Sequence, residues 1–235
     1  MAFILLIETA TESCSVALSS AGSLRAFRES SGGYNHSEKL TLFIEEVLSQ
    51  AGIDADHLDA VCVSQGPGSY TGLRIGVSAA KGICYALDIP LIAISTLDSM
   101  ASNMAESLHN HNLPVGGKLL LCPMLDARRM EVYTAIYNQR GDRISEIEAK
   151  IIDENSFDDL TKENQLVVFG NGAAKCIPLL SRPEIHFIKD IAASARFMFD
   201  LAYKRYQEKT FVDVAYFEPF YLKDFIATIP KNKIF

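Results

Sequence analysis

The sequence predicts an α/β protein with two mixed sheets joined by a short linker. The first half alternates buried strands with amphipathic helices in the order β-β-β-α-β-α-β-α. The second half begins again with three strands, followed by helices and strands, without repeating the residues of the first. Hydrophobic residues make up 49% and charged residues 22% of 235 positions, as in globular proteins. A repeated order of elements without repeated residues indicates an internally duplicated fold.

The first half is predicted to span residues 1–108, and its elements follow from apolar periodicity. Buried or alternating runs predict strands at 3–7, 14–19, 23–29, 58–64 and 91–95. Apolar residues at helical spacing predict helices at 37–51, 72–87 and from 96 to about 109. Three consecutive strands followed by alternating helices favour a sheet that is antiparallel at one side and parallel at the other.

The second half is predicted to span residues 118–235, after a linker at 109–117 that is rich in Asn, Pro and Gly. Strands are predicted at 119–125, 131–137, 143–152 and 166–169. Helices are predicted at 156–161, 173–180 and 192–206, the last of them long and amphipathic. An aromatic, extended tail follows at 211–222. We expect the last helix and this tail to pack back on the first half.

The charge of the chain is −7, and it is unevenly distributed. Residues 1–100 hold 5 basic and 11 acidic side chains, whereas residues 101–235 hold 17 and 18. A protein that binds nucleic acid by itself needs a basic surface to neutralise phosphates. The composition therefore argues against a chain that holds RNA alone.

The apolar start, the other apolar runs and the cysteines predict the cellular compartment and whether the protein binds a metal. The apolar start stops at Glu8 and has no basic segment before it, and no run approaches the ~18 apolar residues of a membrane helix. The five cysteines are widely spaced and form no Cys-x-x-Cys pair. We expect a reduced, cytoplasmic protein with no metal site and no membrane association.

Two segments of the first half have the form of phosphate-binding loops. Glu8 ends the first strand and is followed by Thr9 and other small polar residues, a pattern that suits Mg²⁺ and phosphate or an ordinary hairpin. The second segment follows a strand and opens a helix, where free N–H groups favour an anion. Its residues of interest are Gly66, Gly68, Ser69, Thr71, Gly72 and Arg74. This segment lacks the Gly-Lys-Ser/Thr ending of a P-loop, and we favour close helix packing over phosphate binding as the reason for its glycines.

A third candidate lies in the second half, where Asp126 ends a strand much as Glu8 does in the first. Arg128 follows two residues later, in a predicted hairpin turn. The two acids could face each other across a cleft, or Asp126 could be part of a charged turn. The chain contains no Gly-x-Ser-x-Gly and no His-Glu-x-x-His segment, and we find no self-sufficient catalytic centre in it.

Five segments, in order along the chain, resemble the bacterial TsaB family, which is also called YeaZ. They are residues 7–18 (IETATESCSVAL), 66–76 (GPGSYTGLRIG), 94–97 (ISTL), 126–133 (DARRMEVY) and 218–222 (EPFYL). The resemblance implies two RNase H-like subdomains of the actin-like ATPase (ASKHA) type. It also implies a role in forming threonylcarbamoyladenosine beside the anticodon of tRNAs that read codons starting with A.

The resemblance implies a set of partners. TsaD transfers the threonylcarbamoyl group, TsaB is the subunit that TsaD needs, and TsaE, an ATPase, docks on the pair. By this resemblance the chain is a non-catalytic scaffold that forms a heterodimer with TsaD, pairs with itself when alone, and meets tRNA only through the complex. No cofactor is required by the chain itself, and a nucleotide at an interface of the complex is compatible with this role.

The resemblance also points to the residues that would meet TsaD, on the helices predicted at 37–51 and 72–87. The expected interface residues on the first helix are Leu40, Phe43, Ile44 and Val47. Those on the second helix are Gly76, Ala79, Ala80 and Ile83, mostly small residues that allow close approach. The alternative is that these side chains serve only the core of the chain.

Two departures from the family pattern argue against catalysis. The catalytic sister TsaD carries a His-x-x-x-His metal motif where this chain has Ser95 and Ser99. The acid of the first strand is usually Asp in TsaB and is Glu8 here, which weakens a role with Mg²⁺ and ATP. The loops around Glu8 and Asp126 are therefore interpreted as vestigial. The alternative function is an independent Mg–ATP-dependent small-molecule kinase that uses Glu8 and Asp126 across a cleft.

Overall fold

The computed structural model of the chain describes residues 2–32, 35–111, 113 and 118–222. The first sheet contains the strands β1 (Phe3–Glu8), β2 (Cys14–Ser20), β3 (Ser23–Ser30), β4 (Ala60–Gly66) and β5 (Leu91–Ser95). The helices of this half are α1 (His36–Ala51), α2 (Tyr70–Leu87) and α3 (Thr96–Ser107). The α/β class and the mixed sheets predicted from the sequence are confirmed.

The strand order in the first sheet is β3-β2-β1-β4-β5. β1 pairs antiparallel with β2 and parallel with β4, so that Ile7 lies between Val16 and Val63. β2 and β3 are antiparallel, whereas β4 and β5 are parallel. The sheet is therefore antiparallel on one side of β1 and parallel on the other.

The second sheet repeats this topology. It contains β6 (Lys118–Asp126), β7 (Glu131–Thr134), β8 (Glu148–Ile151), β9 (Asn164–Phe169) and β10 (Ile185–Ile188). The strand order is β10-β9-β6-β7-β8, with β6 in the place that β1 takes in the first sheet. The helices of this half are α4 (Asp158–Thr161), α5 (Ile177–Leu180) and α6 (Phe199–Gln207). Each half thus has the RNase H-like order, and the internal duplication is confirmed.

Several elements of the second half differ from their predicted extents. The strand predicted at 143–152 is formed only at 148–151, and Arg143 makes an isolated bridge to Tyr137. The strand β10 was not predicted, since a run of four residues carries little periodicity. The helix predicted at 173–180 consists of a 3₁₀ turn at 174–176 followed by the four residues of α5.

The helix predicted at 192–206 is wrong over its first seven residues. Ser194 has extended backbone, residues 195–197 form a 3₁₀ turn, and α6 begins at Phe199. The physical reason is a tertiary contact. The Ala195 N–H donates to the Ser15 hydroxyl on β2 at 2.9 Å, which ties this segment to the first sheet in a non-helical conformation.

The two faces of the first sheet are covered by different parts of the chain. Leu5 and Ile7 point to the core under α1 and α2, whereas Ile4 and Leu6 point to the opposite face. This opposite face is covered from the second half of the sequence. The covering side chains are those of Ala195, Met198 and Ala202.

A helix of the first half, α3, also packs against the second sheet. Leu97 and Met100 of α3 pack in one core with Leu121 and Phe169 of the second sheet. The tail after α6 returns to the first sheet, where the Val212 N–H donates to the Leu91 carbonyl at 2.9 Å. The two sheets are therefore interlocked rather than simply joined end to end. Most of the linker predicted at 109–117 lies outside the described residues, and residues 108–110 form a 3₁₀ turn.

None of the helices in the described part of the chain is both long and apolar enough to cross a bilayer.

Candidate docking surface

The glycine-rich turn before α2 is tied to the turn between β1 and β2. The Ser69 N–H donates to the Ala10 carbonyl at 2.7 Å. The Ser69 hydroxyl accepts from the Gly72 N–H at 3.2 Å and caps the helix. The N–H groups of Ser69 and Gly72, which could otherwise bind an anion at this helix N-terminus, are thus engaged within the chain.

The glycines of this segment allow close contact between backbones. A Cβ atom on Gly68 or Gly72 would lie closer than 3.0 Å to the carbonyl oxygen of Ala10 or Thr9, a distance that real Cβ atoms essentially never show. A Cβ on Gly76 would meet the Thr9 hydroxyl in the same way. The space that a phosphate would need is filled by Thr9 and Ala10. This supports the interpretation of the glycines as packing residues.

Glu8 is fully buried beneath the same turn. Its Oε1 accepts from the Ala10 N–H at 2.6 Å and from the Ser64 hydroxyl at 2.8 Å, and its Oε2 has no hydrogen-bond partner. Burial raises the pKa of this carboxyl to about 7, and the negative charge of Glu29 adds to the rise. A carboxyl in this position stabilises the turn when protonated and is closed to a metal ion from solvent.

Asp126 lies in a different environment from Glu8. It is exposed at the end of β6, pairs with Lys175, and accepts the Arg128 N–H at 2.8 Å. Its own N–H donates to the Asn171 side chain at 3.1 Å. Asp126 therefore holds a charged hairpin turn, which was the alternative to a catalytic role.

A cleft of about 710 Å³ separates the two halves. One wall is formed by residues 103–111, at the end of α3 and just after it, and another by residues 190–197. Glu29 on β3 and Asn171 after β9 also line the cleft. Neither Glu8 nor Asp126 lines it. Gly170 lines the cleft but packs directly against the Met124 carbonyl. This cleft therefore does not bring the two acids together.

A second concave surface, of about 580 Å³, is the groove between α1 and α2, which we call the α1–α2 groove. Small or uncharged side chains predominate on its walls, and Arg74 is its one cation. The lining residues are Ser37, Leu40, Thr41, Tyr70, Thr71, Arg74, Ile75, Ser78 and Ala79. Thr71 and Arg74, predicted as phosphate-loop residues, are thus placed on this groove, and Gly66 packs against Leu73 and the Phe220 carbonyl.

The predicted interface residues divide into two groups by burial. Four are buried in the chain, and their part in an interface stays a prediction. They are Leu40, Val47, Gly76 and Ala80. The other four are half-buried beside the first core and keep part of their surface exposed. They are Phe43, Ile44, Ala79 and Ile83.

The tail at 211–222, which we expected to pack on the first half, contributes to one end of the groove. The ring of Tyr221 stacks at 4.9 Å from that of Tyr70, and the Arg74 guanidinium lies 5.4 Å from the Tyr70 ring centre. Lys81 on α2 donates to the Ala215 and Phe217 carbonyls, each at 3.0 Å. The conspicuous aromatic residues of the tail were the available signal, but their partner could not be read from spacing.

A family comparison covers most of the chain. The family described as TsaD, tRNA N6-adenosine threonylcarbamoyltransferase, matches residues 27–177. The chain belongs to this TsaD family. Among its relatives, the tRNA threonylcarbamoyladenosine biosynthesis protein TsaB of Escherichia coli is 29% identical over 231 residues, covering 95% of this chain and 96% of that protein. TsaB of Bacillus subtilis is 34% identical over 48% of this chain and 45% of its own.

The solved structures agree on the fold. YeaZ from Pseudomonas aeruginosa superposes with a TM-score of 0.79 at 24% identity, covering 94% of this chain and all of that chain. The resemblance to TsaB proteins inferred from the five segments is confirmed, as is the RNase H-like, actin-like ATPase fold.

Within the TsaD family fold, the two serines at the metal-motif positions have structural surroundings. The Ser95 hydroxyl accepts the Asp98 N–H at 3.4 Å and caps α3. Ser99 is buried in the same helix. Among the described residues, the acid and histidine cluster that could hold a metal ion is the exposed set of Asp54, Asp56 and His57, far in sequence from these serines.

Proposed function

We propose that this chain is a non-catalytic subunit that docks on TsaD and enables transfer of threonylcarbamoyl to N6 of the adenosine next to the tRNA anticodon. The observation that carries the proposal is the α1–α2 groove, which lies beside a glycine-rich turn packed against Thr9 and Ala10. The segment at residues 66–76, which is most typical of the family, forms part of a helix face that another protein would cover. Its glycines pack against Thr9 and Ala10.

The chemistry of the groove fits two helices of a partner. Ser78 and Ala79 on α2 and Thr41 on α1 are small, and they let another backbone approach closely. The half-buried Phe43 and Ile83 supply apolar surface that a partner would cover. Such a surface is self-complementary when no partner is present, and the isolated chain is therefore expected to pair through it as an isologous homodimer.

The other parts of the proposal come from the family role. TsaE is expected to dock on the pair of this chain and TsaD, and tRNA is expected to meet the chain only within that complex. The chain itself is assigned no cofactor, and any nucleotide would lie at an interface of the complex. The substrate places this work in the cytoplasm.

The surroundings of the two acids count against the kinase alternative. Glu8 is buried and its pKa is raised to about 7, whereas Asp126 is exposed and paired with Lys175. Calorimetry of the isolated chain with Mg–ATP separates the two functions. We expect no binding at micromolar concentration, and binding with turnover would favour the kinase.

The direct test is reconstitution of threonylcarbamoyl transfer to an unmodified tRNA transcript, with TsaD and TsaE held constant. Transfer is expected with this chain present and at least ten-fold slower without it. Equal rates with and without the chain would overturn the proposal. Size-exclusion chromatography of the chain mixed with TsaD supplies the second readout, since a scaffold must co-elute with the enzyme that it serves.

A further inference from the structure

The hairpin between β6 and β7 carries an unusual backbone at its tip. Arg128 and Arg129 have φ angles of 72° and 49°, both in the left-handed region. In that region the Cβ of an L-residue crowds a carbonyl oxygen, and Gly or Asn is the usual occupant. In the described ranges there is no other case of two consecutive non-glycine residues with positive φ.

Hydrogen bonds on the sheet side hold this backbone in place. The Arg128 N–H donates to Asp126 Oδ1 at 2.8 Å, and the Glu131 N–H donates to the Arg128 carbonyl at 3.1 Å. The Ala127 N–H donates to the Glu131 carbonyl at 3.1 Å. Asp126, the acid that precedes the tip, is engaged by Lys175. Hydrogen bonds therefore hold the turn, and the acid that precedes it is already paired.

The two arginine side chains are exposed and carry charge that the chain does not compensate. Over the part of the chain that the structure describes, neither guanidinium lies within 4.0 Å of a carboxylate. Other cations of this half do pair with an acid, as Lys150 does with Glu148. Strained backbone is concentrated at functional sites, because a turn that only connects two strands is more stable with relaxed residues. A strained turn with two unpaired arginines therefore indicates a functional contact.

We propose that Arg128 and Arg129 bind backbone phosphates of the tRNA on which the complex acts. The proposal rests on the proposed function for its choice of polynucleotide. A guanidinium presents a planar fork of donors that matches a phosphate, and a contact to the sugar–phosphate backbone needs no shaped pocket. The acidic first half repels RNA, so that a phosphate contact by this chain falls to unpaired cations of the second half.

The test measures binding of a fluorescein-labelled, unmodified tRNA transcript to the reconstituted complex over a series of salt concentrations. The variant Arg128→Gln/Arg129→Gln removes both charges. The matched control is Arg140→Gln/Lys162→Gln, which removes two exposed charges elsewhere in the same half. Each lost phosphate contact lowers the slope of log K against log salt by ~0.7–0.9. We expect the tip variant to lose about 1.5 of that slope and roughly ten-fold in affinity at low salt, and the control to keep the wild-type slope.

A second variant separates binding from the structure of the turn. Arg128→Asn/Arg129→Gly supplies the residues that a left-handed turn prefers. We expect a higher melting temperature together with the same loss of tRNA affinity. Wild-type affinity and slope in this variant would show that the arginines serve only the turn and would overturn the proposal.

Two further outcomes have distinct meanings. If the tip variant no longer joins the complex, the tip binds an acidic protein surface and the tRNA assignment is wrong. If wild-type chain fails to form the complex or to support transfer, the proposed function fails instead, before the tip variants are compared.

Discussion

Gly76 on α2 and Thr9 after β1 are in such close contact that no side chain fits between them: a Cβ on residue 76 would lie closer than 3.0 Å to the Thr9 hydroxyl oxygen. The contact joins the first turn of the chain to the middle of the helix that forms one wall of the α1–α2 groove. The turn after β1 therefore supports the helix face that lines the groove.

Gly76→Ala is expected to destabilise the protein by about 1–3 kcal/mol, because the added methyl group overpacks the contact with Thr9. Urea denaturation measures the change. The control is Gly82→Ala on the same helix, where the new Cβ meets nothing within 4 Å and should stabilise the helix by about 0.5–1 kcal/mol. Thr9→Ala in the Gly76→Ala background should restore part of the loss, and strict additivity of the two changes would contradict this account.

Glu8→Gln is expected to change the pH dependence of stability. The folded pKa of about 7 lies above the unfolded value of 4.5. The contribution of the protonated carboxyl is therefore fully present below pH 4.5 and is lost as the pH rises through 7. Gln keeps the acceptor for Ala10 and Ser64 without ionising, so the variant should gain about 3 kcal/mol relative to wild type between pH 4.5 and pH 8.

Thermal unfolding of both proteins across this pH range is the measurement. A parallel pH dependence in wild type and variant would mean that the pKa of Glu8 is the same in the folded and unfolded chain. Glu29→Gln is the companion control, since its charge adds to the rise at Glu8 and its removal should lower the pKa of Glu8 only modestly.

Ser78→Arg is expected to weaken association with TsaD by at least about 100-fold, or ~2.7 kcal/mol, and to make the isolated chain monomeric. The reason is that a long charged side chain fills the α1–α2 groove while the fold, which does not use the exposed Ser78, is kept. Ser49→Arg, exposed on α1 but outside the groove, is the matched control. Co-elution of Ser78→Arg with TsaD at the wild-type yield would place the docking surface elsewhere.

Lys81→Met is expected to release the tail from α2, since the ammonium group donates to the carbonyls of Ala215 and Phe217. Hydrogen exchange over residues 213–220 should rise several-fold, with a loss of about 1 kcal/mol in local stability. Lys162→Met, at an exposed cation remote from the tail, should leave this exchange unchanged. Unchanged exchange in Lys81→Met would show that Val212 and Tyr221 hold the tail without it.

The mixed character of the first sheet and the duplicated halves were predictable because the order of elements is local information. The apolar patterns that predict strands, and the apolar stripe that predicts a helix, each lie within a short stretch of sequence. The strands of the first sheet are close to those predicted from them. The interlocking of the halves was less accessible. Ala195 begins a 3₁₀ turn because its N–H meets Ser15, a residue 180 positions away, and no local pattern encodes that contact.

The candidate site was predictable in its location and less so in its details. Helical spacing marked Leu40 and Val47 as one face of α1, but an apolar side chain at such spacing serves a core or a partner equally well. Only burial separates Val47, which has no exposed surface, from the half-buried Ile44 beside it. The strain at Arg128 and Arg129 was also hidden, because the residues themselves are ordinary in a charged turn.

The exchange of α3 and α6 between the halves has a consequence while the chain is being made. β5 ends at Ser95, but the residues that cover the second face of its sheet begin at Ala195. At ~5–20 residues per second, a ribosome needs roughly 5–20 s to add the intervening segment, and the face with Ile4 and Leu6 stays open to other proteins throughout. The nascent chain is thus most prone to aggregation midway through translation, and a product that stops before Ala195 leaves that face bare for chaperones and proteases.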